Sequence, residues 1–169
     1  MRHFVLPIYR FDNAPRCAAP YFVGILNRKR NMPDKLWSWT GALSLFGGGA
    51  QHGETSLDTI RRELAEELPA LSLDNLSGEG RVDVQDGPFA FTVTPMMCGE
   101  WSQAEYQRLA ASCTEGAVDW VAFRPSMRSG DREEWASVPW VSTVMMKAIE
   151  ELLRAAAGTH VGVDESVSD

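Results

Sequence analysis

Cysteine and histidine are scarce in this chain, with three of each among 169 residues. Cys17, Cys98 and Cys113 are far apart, odd in number and form no Cys-x-x-Cys pair. That excludes a disulfide scaffold and reads as reduced thiols, so the expected location is the cytoplasm. His3, His52 and His160 are scattered, which argues against a zinc site. No apolar run approaches the roughly 18–20 residues that span a bilayer, so no membrane partner is expected. The opening stretch MRHFVLPIYRFDNAP lacks a long apolar core and a small-residue cleavage site, so it does not read as a secretory signal. There is no internal repeat and no low-complexity linker, and the length suits one domain.

Positive charge is also in deficit. Sixteen Lys/Arg face 23 Asp/Glu, for a net charge of −7. A surface that wraps nucleic acid needs a basic face, so nucleic acid is not the expected partner. The deficit is uneven: residues 1–40 hold seven Lys/Arg and two Asp, a net of +5, and the remainder is −12. A locally basic segment in an acidic protein suits a small anionic ligand, although Arg28-Lys29-Arg30 also reads as a solvated loop.

Residues 3–10 (HFVLPIYR), 21–28 (YFVGILNR), 80–85, 89–98 (FAFTVTPMMC) and 118–123 (VDWVAF) have the composition of strands, and ALSLF at 42–46 is a short apolar run. Pro95 predicts an edge or a bulge in its strand. Helices are expected from Thr55 to about Leu68, from Ser102 to Ala111 with Ser102 as N-cap, and from Val141 to Ala157. A single domain over 1–157 follows, with a small, polar, acidic tail over 158–169 that should fray. The alternation of strands and helices predicts an α/β/α sandwich, a mixed sheet covered by helices on both faces.

Chemistry concentrates at 47–68. Leu57, Ile60, Leu64 and Leu68 make one apolar stripe on the helix expected over 55–68. At about 100° per residue, Glu63, Glu66 and Glu67 share a flank of that stripe, with Arg62 at its border. Three carboxylates so placed repel one another, and taken alone they read as a solvated face. The preceding Gly47-Gly48-Gly49, after an apolar run, lets backbone approach a ligand. Carboxylates beside a backbone carbonyl would suit a hard divalent cation, which would also relieve their repulsion.

Residues 48–70 read Gly48, five residues, Glu54, seven residues, Arg62-Glu63-Leu64, one residue, then Glu66-Glu67. This resembles the Nudix box, G-x5-E-x7-R-E-U-x-E-E-x-G-U, where U is a bulky aliphatic. Pro69 departs from the final Gly and Ala70 from the final aliphatic. The last Gly mainly ends the helix, and Pro cannot continue one either.

The resemblance implies a Nudix-type α/β/α fold and a hydrolase of the diphosphate bond in a nucleoside diphosphate linked to another moiety. It implies Mg²⁺, or Mn²⁺, held by Glu63, Glu66 and Glu67 with the Gly48 carbonyl as a further ligand. Arg62 would hold Glu63, and Glu54 with Gly53 would fix the loop to the helix. Glu115, in Thr114-Glu115-Gly116, resembles the family's late acidic position, as a metal ligand or general base; a turn glutamate is its plain reading. Arg10, Arg28 and Arg30 are candidates for the substrate phosphates. The partner is a small nucleotide such as a nucleotide sugar or a nucleoside triphosphate. The alternative is a Nudix-fold module that binds or senses a nucleotide without cleaving it.

Other residues carry less. His52 reads as a solvent-facing loop residue before a phosphate contact, and Trp37 and Trp39 as core packing before base stacking. Met145, Met146, Ile149, Leu152 and Leu153 form a docking stripe for the sheet or a second subunit, and Trp135 and Trp140 are compatible with a homodimer. Cys98 and Cys113 lack a neighbour that would mark a nucleophile.

Overall fold

The computed structural model describes residues 1–10, 21–22, 25–27, 42–114, 117–118, 121–122 and 142–168. Its strands are β1 (Arg2–Arg10), β2 (Tyr21–Phe22), β3 (Ile25–Asn27), β4 (Ala42–Ser44), β5 (Phe46–Gly49), β6 (Val82–Asp86), β7 (Phe89–Glu100), β8 (Ala117–Val118) and β9 (Val121–Ala122). Its helices are α1 (Ser56–Glu67), α2 (Gln103–Ser112) and α3 (Thr143–Ser168).

β1 organises the fold. Its residues from His3 to Tyr9 are all buried, as expected of a strand covered on both faces. Period-two alternation sends Phe4, Leu6 and Ile8 into one core with Phe91, Val93 and the α3 residues Met145, Ile149, Leu152 and Leu153. Val5 and Tyr9 enter the opposite core with Phe46, Met96, the α1 residues Ile60 and Leu64, and Leu109 of α2. The predicted sandwich of a mixed sheet between helices is therefore the observed architecture. Each fully buried Leu or Ile contributes about 1.5–3 kcal/mol to it.

β7 runs parallel to β1 along its whole length. On the other side β1 changes partner: Arg2–Val5 pair antiparallel with β5, and Ile8–Tyr9 with β2. The change falls across Leu6-Pro7, and Pro7 has no N–H for either ladder. β6 pairs with β7 only as far as Val93, so Pro95 lies beyond it on a locally open edge, as its sequence predicts.

Three runs that read as single strands are each divided between two sheets. β2, β5 and β9 belong to a six-stranded sheet, and β3, β4 and β8 to a three-stranded one. The chain crosses between them after Phe22, at Leu45 and after Val118. A continuous apolar pattern cannot reveal such a crossing, because both sheets bury the same residue types.

α1 starts at Thr55, whose hydroxyl accepts the Asp58 N–H at 3.2 Å while the Asp58 carboxylate accepts the Thr55 N–H at 3.1 Å. α3 does not end at 157 but continues to Ser168. Gly158 lowers helix propensity without supplying a stop, and no proline follows it. The α3 stripe docks on the sheet, through Met145, Ile149, Leu152 and Leu153. Among the described residues no helix is long and apolar enough to cross a membrane.

Candidate active site

The glycine end of β5 and α1 are locked together by one guanidinium. β5 delivers Gly48 and Gly49 opposite His3 and Arg2 at the amino end of β1. α1 packs against β5 and β1 through Ile60 and Leu64, which fixes its polar flank beside those glycines. Arg62 then donates from Nε to Glu54 Oε2 at 2.8 Å and from Nη2 to Glu54 Oε1 at 3.0 Å. Its Nη1 donates to Glu63 Oε1 at 3.0 Å, and Nη2 also reaches the Gly49 carbonyl at 2.9 Å. Two carboxylates and one main-chain carbonyl are thus held by a single planar fork.

Glu54 accepts two further bonds, from the Gln51 N–H at 2.6 Å and the Thr59 hydroxyl at 3.3 Å. The Arg62 bond first, then the Gln51 N–H, lower its pKa from the ordinary 4.5 to about 2. Arg62 is pushed further above its ordinary range, chiefly by Glu54. Gly53, before Glu54, has φ +82°, which a glycine adopts without strain.

Gly48 is buried, and its lack of a side chain is specific to Glu63. A Cβ there would stand 2.5 Å from Glu63 Cδ, so the carboxylate lies in the space a side chain would fill. Glu66 is exposed, and Glu67 lies buried at the end of α1 with 9 % relative exposure. Among the described residues no three His, Cys, Asp or Glu side chains converge on one point. Arg62 holds Glu63 beside Gly48 at the end of β5. The donor set is hard oxygen throughout, and the cradle at Gly48 admits the Glu63 carboxylate against backbone; both fit a divalent cation such as Mg²⁺.

The end of α1 holds groups the sequence reading missed. The Thr114 hydroxyl donates to the Glu66 carbonyl at 2.9 Å, and the Thr114 N–H to the Glu67 carbonyl at 3.0 Å. Arg108 Nη1 donates to the Ala70 carbonyl, and the Ala70 N–H to the Ser112 hydroxyl at 3.4 Å. Gln51 and Thr59 were likewise unmarked, because their role comes from a fold in the loop and not from a residue pattern.

Arg10 closes β1 at the end opposite the one that pairs with Gly48 and Gly49. Its carbonyl accepts the Trp101 N–H at 2.6 Å. Glu115, Arg28, Arg30, Trp37, Trp39, Trp135 and Trp140 lie outside the described residues. His52 is exposed, as expected of a loop histidine. Burial pushes the Cys98 thiol up to about 12, so it is no nucleophile in the folded protein.

No family model matches the chain, and no curated protein matches it by sequence. Solved structures do match by shape. The binary complex of a C. elegans Ap4A hydrolase superposes with a TM-score of 0.53 at 11% identity, covering 96% of this chain and 99% of that one. A Nudix hydrolase from M. smegmatis, RenU, gives a TM-score of 0.53 at 15% identity, covering 94% and 85%. The fold of this chain is therefore the Nudix hydrolase fold. The likeness covers nearly the whole of both chains.

Proposed function

We propose that this protein is a divalent-cation-dependent hydrolase of the diphosphate bond in a nucleoside diphosphate linked to another moiety. The observation that carries the reading is the Arg62 fork, which binds Glu54, Glu63 and the Gly49 carbonyl into one unit at the end of β5. A solvated acidic helix face has no need of it. The Nudix fold of solved hydrolases supports the same reading.

Glu63, Glu66 and Glu67, with the Gly48 carbonyl, would hold the cation. When bound, it would neutralise diphosphate oxygens and the charge that develops on the leaving group. Arg62 orients Glu63. A carboxylate, either of the box or Glu115, accepts the proton from the attacking water at an Oε atom. In-line displacement at phosphorus then yields a nucleoside monophosphate and a phosphorylated remainder. Glu54 serves structure here: four donated bonds occupy its carboxylate.

The test is purified protein with Mg²⁺ against ADP-ribose, diadenosine tetraphosphate, nucleotide sugars and nucleoside triphosphates. Phosphate is read with and without added phosphatase. Turnover that EDTA abolishes and Mg²⁺ or Mn²⁺ restores is the expected result. Full activity without metal would overturn the cation role, and tight binding without turnover would favour a nucleotide-sensing module instead.

A further inference from the structure

An α-helix leaves its last carbonyls without partners inside the helix. The usual remedy is a left-handed glycine just past the end, whose N–H returns to those carbonyls. In α1 that place is taken by Pro69, which has no N–H to give. Leu68 before it leaves the helical region, with φ −145° and ψ 65°. The carbonyls of Glu66 and Glu67 are satisfied by Thr114 instead, through its hydroxyl and its N–H at 2.9 and 3.0 Å.

We infer that Thr114 is a positioning residue for the Glu66 and Glu67 carboxylates, acting as the cap that Pro69 cannot provide. The inference rests on the reading of those two groups as cation ligands. Thr114 grips the main chain of the two residues whose side chains must be aimed, from 47 positions downstream. α2 holds the following turn from the same side. Ser112 takes the Ala70 N–H, and Arg108 donates to the Ala70 carbonyl. Arg108 is itself fixed on Glu105, at 2.6 and 2.8 Å, and Glu105 accepts the Tyr9 hydroxyl of β1 at 3.0 Å. A path of bonds therefore runs from the buried strand to the turn that ends α1.

Two measurements on the full chain test this. The first needs no metal: amide hydrogen exchange at Leu68 and its neighbours in the last turn of α1. Thr114→Val should speed exchange there about fivefold, as expected for loss of one hydrogen bond, and Thr114→Ser should restore it. Unchanged exchange in Thr114→Val would overturn the capping role. The second is Mn²⁺ titration followed by the resonance of free Mn²⁺. Thr114→Val should bind about tenfold more weakly, in the range for loss of a group that orients a ligand, and Thr114→Ser should bind as the parent does. Equal Mn²⁺ affinity in Thr114→Val would overturn the positioning role and leave the cation site standing. No Mn²⁺ binding by the parent would overturn the cation site, and the positioning role with it. Arg108→Gln loosens the same turn without touching Thr114 and should move both readings in the same direction. It carries the test if Thr114→Val does not fold, and unchanged readings there would overturn the inference.

Discussion

The Arg62 guanidinium meets the Glu54 carboxylate in two parallel bonds, 2.8 Å from Nε and 3.0 Å from Nη2. The pair joins the loop after β5 to the second turn of the helix that follows, and each partner has a second task. Arg62 continues to Glu63 and Gly49, and Glu54 takes the Gln51 N–H.

Replacement of Arg62 by lysine should therefore keep the charge and lose the geometry, since one ammonium cannot face three acceptors in a plane. Turnover of the best nucleotide in the panel should fall by about tenfold to a hundredfold. Parent-like kcat in Arg62→Lys would show that the fork does not organise the site.

Glu54 gives the protein an acid-sensitive component of stability. Its folded pKa is about 2 against an ordinary 4.5. Between those values the unfolded chain takes up a proton that the folded chain does not, so stability is present above pH 4.5 and is lost as pH falls toward 2. Denaturant titrations from pH 6 downward should show this loss in the parent. Glu54→Gln should show a shallower slope in that window, and an unchanged slope would assign the effect elsewhere.

Two adjacent glycines should fail in different ways. A side chain at Gly47 would be strained at φ +146° and would stand 2.8 Å from the Phe4 Cα, so Gly47→Ala should cost at least about 1–3 kcal/mol in folding. At Gly48 the obstacle is the Glu63 carboxylate, which can swing away. Gly48→Ala should therefore stay folded while turnover drops. Thermal melts and rates on both variants separate the cases; equal loss of stability in both would refute the distinction.

Glu67→Gln should leave the fold intact and lower turnover by at least about a hundredfold, more than loss of a supporting group usually costs. Leu64→Ala is the contrasting control. That side chain is 1% exposed, and its truncation should cost about 2–5 kcal/mol of stability. Circular dichroism and rates under Mg²⁺ distinguish a site defect from a core defect. Similar rates in Glu67→Gln and parent would remove Glu67 from the site.

The local codes were readable in the sequence because they act over a few residues. Ser102 caps the helix it announces, and the spacing of Ile60, Leu64 and Leu68 gives the buried stripe. Glu54 and Glu63 both pair with Arg62 in the structure. What could not be read depends on distant chain. Nothing near Thr114 announces that it will meet Glu66, 48 positions away. Nothing in YFVGILNR or VDWVAF marks where one sheet is exchanged for another. Arg10 carries the right charge for a phosphate, and only the register of β1 reveals that it lies at the end away from Gly48 and Gly49.

The parallel pairing of β1 with β7 also bears on how the chain reaches this state. His3 bonds Thr92 at 2.7 Å across 89 positions of sequence. During synthesis β1 is made before β7 and must wait for its longest ladder until β7 has followed it. Pairings of such separation slow folding and leave sticky segments uncovered meanwhile. A nascent chain stalled before residue 89 would therefore be the species most prone to aggregate and most in need of a chaperone.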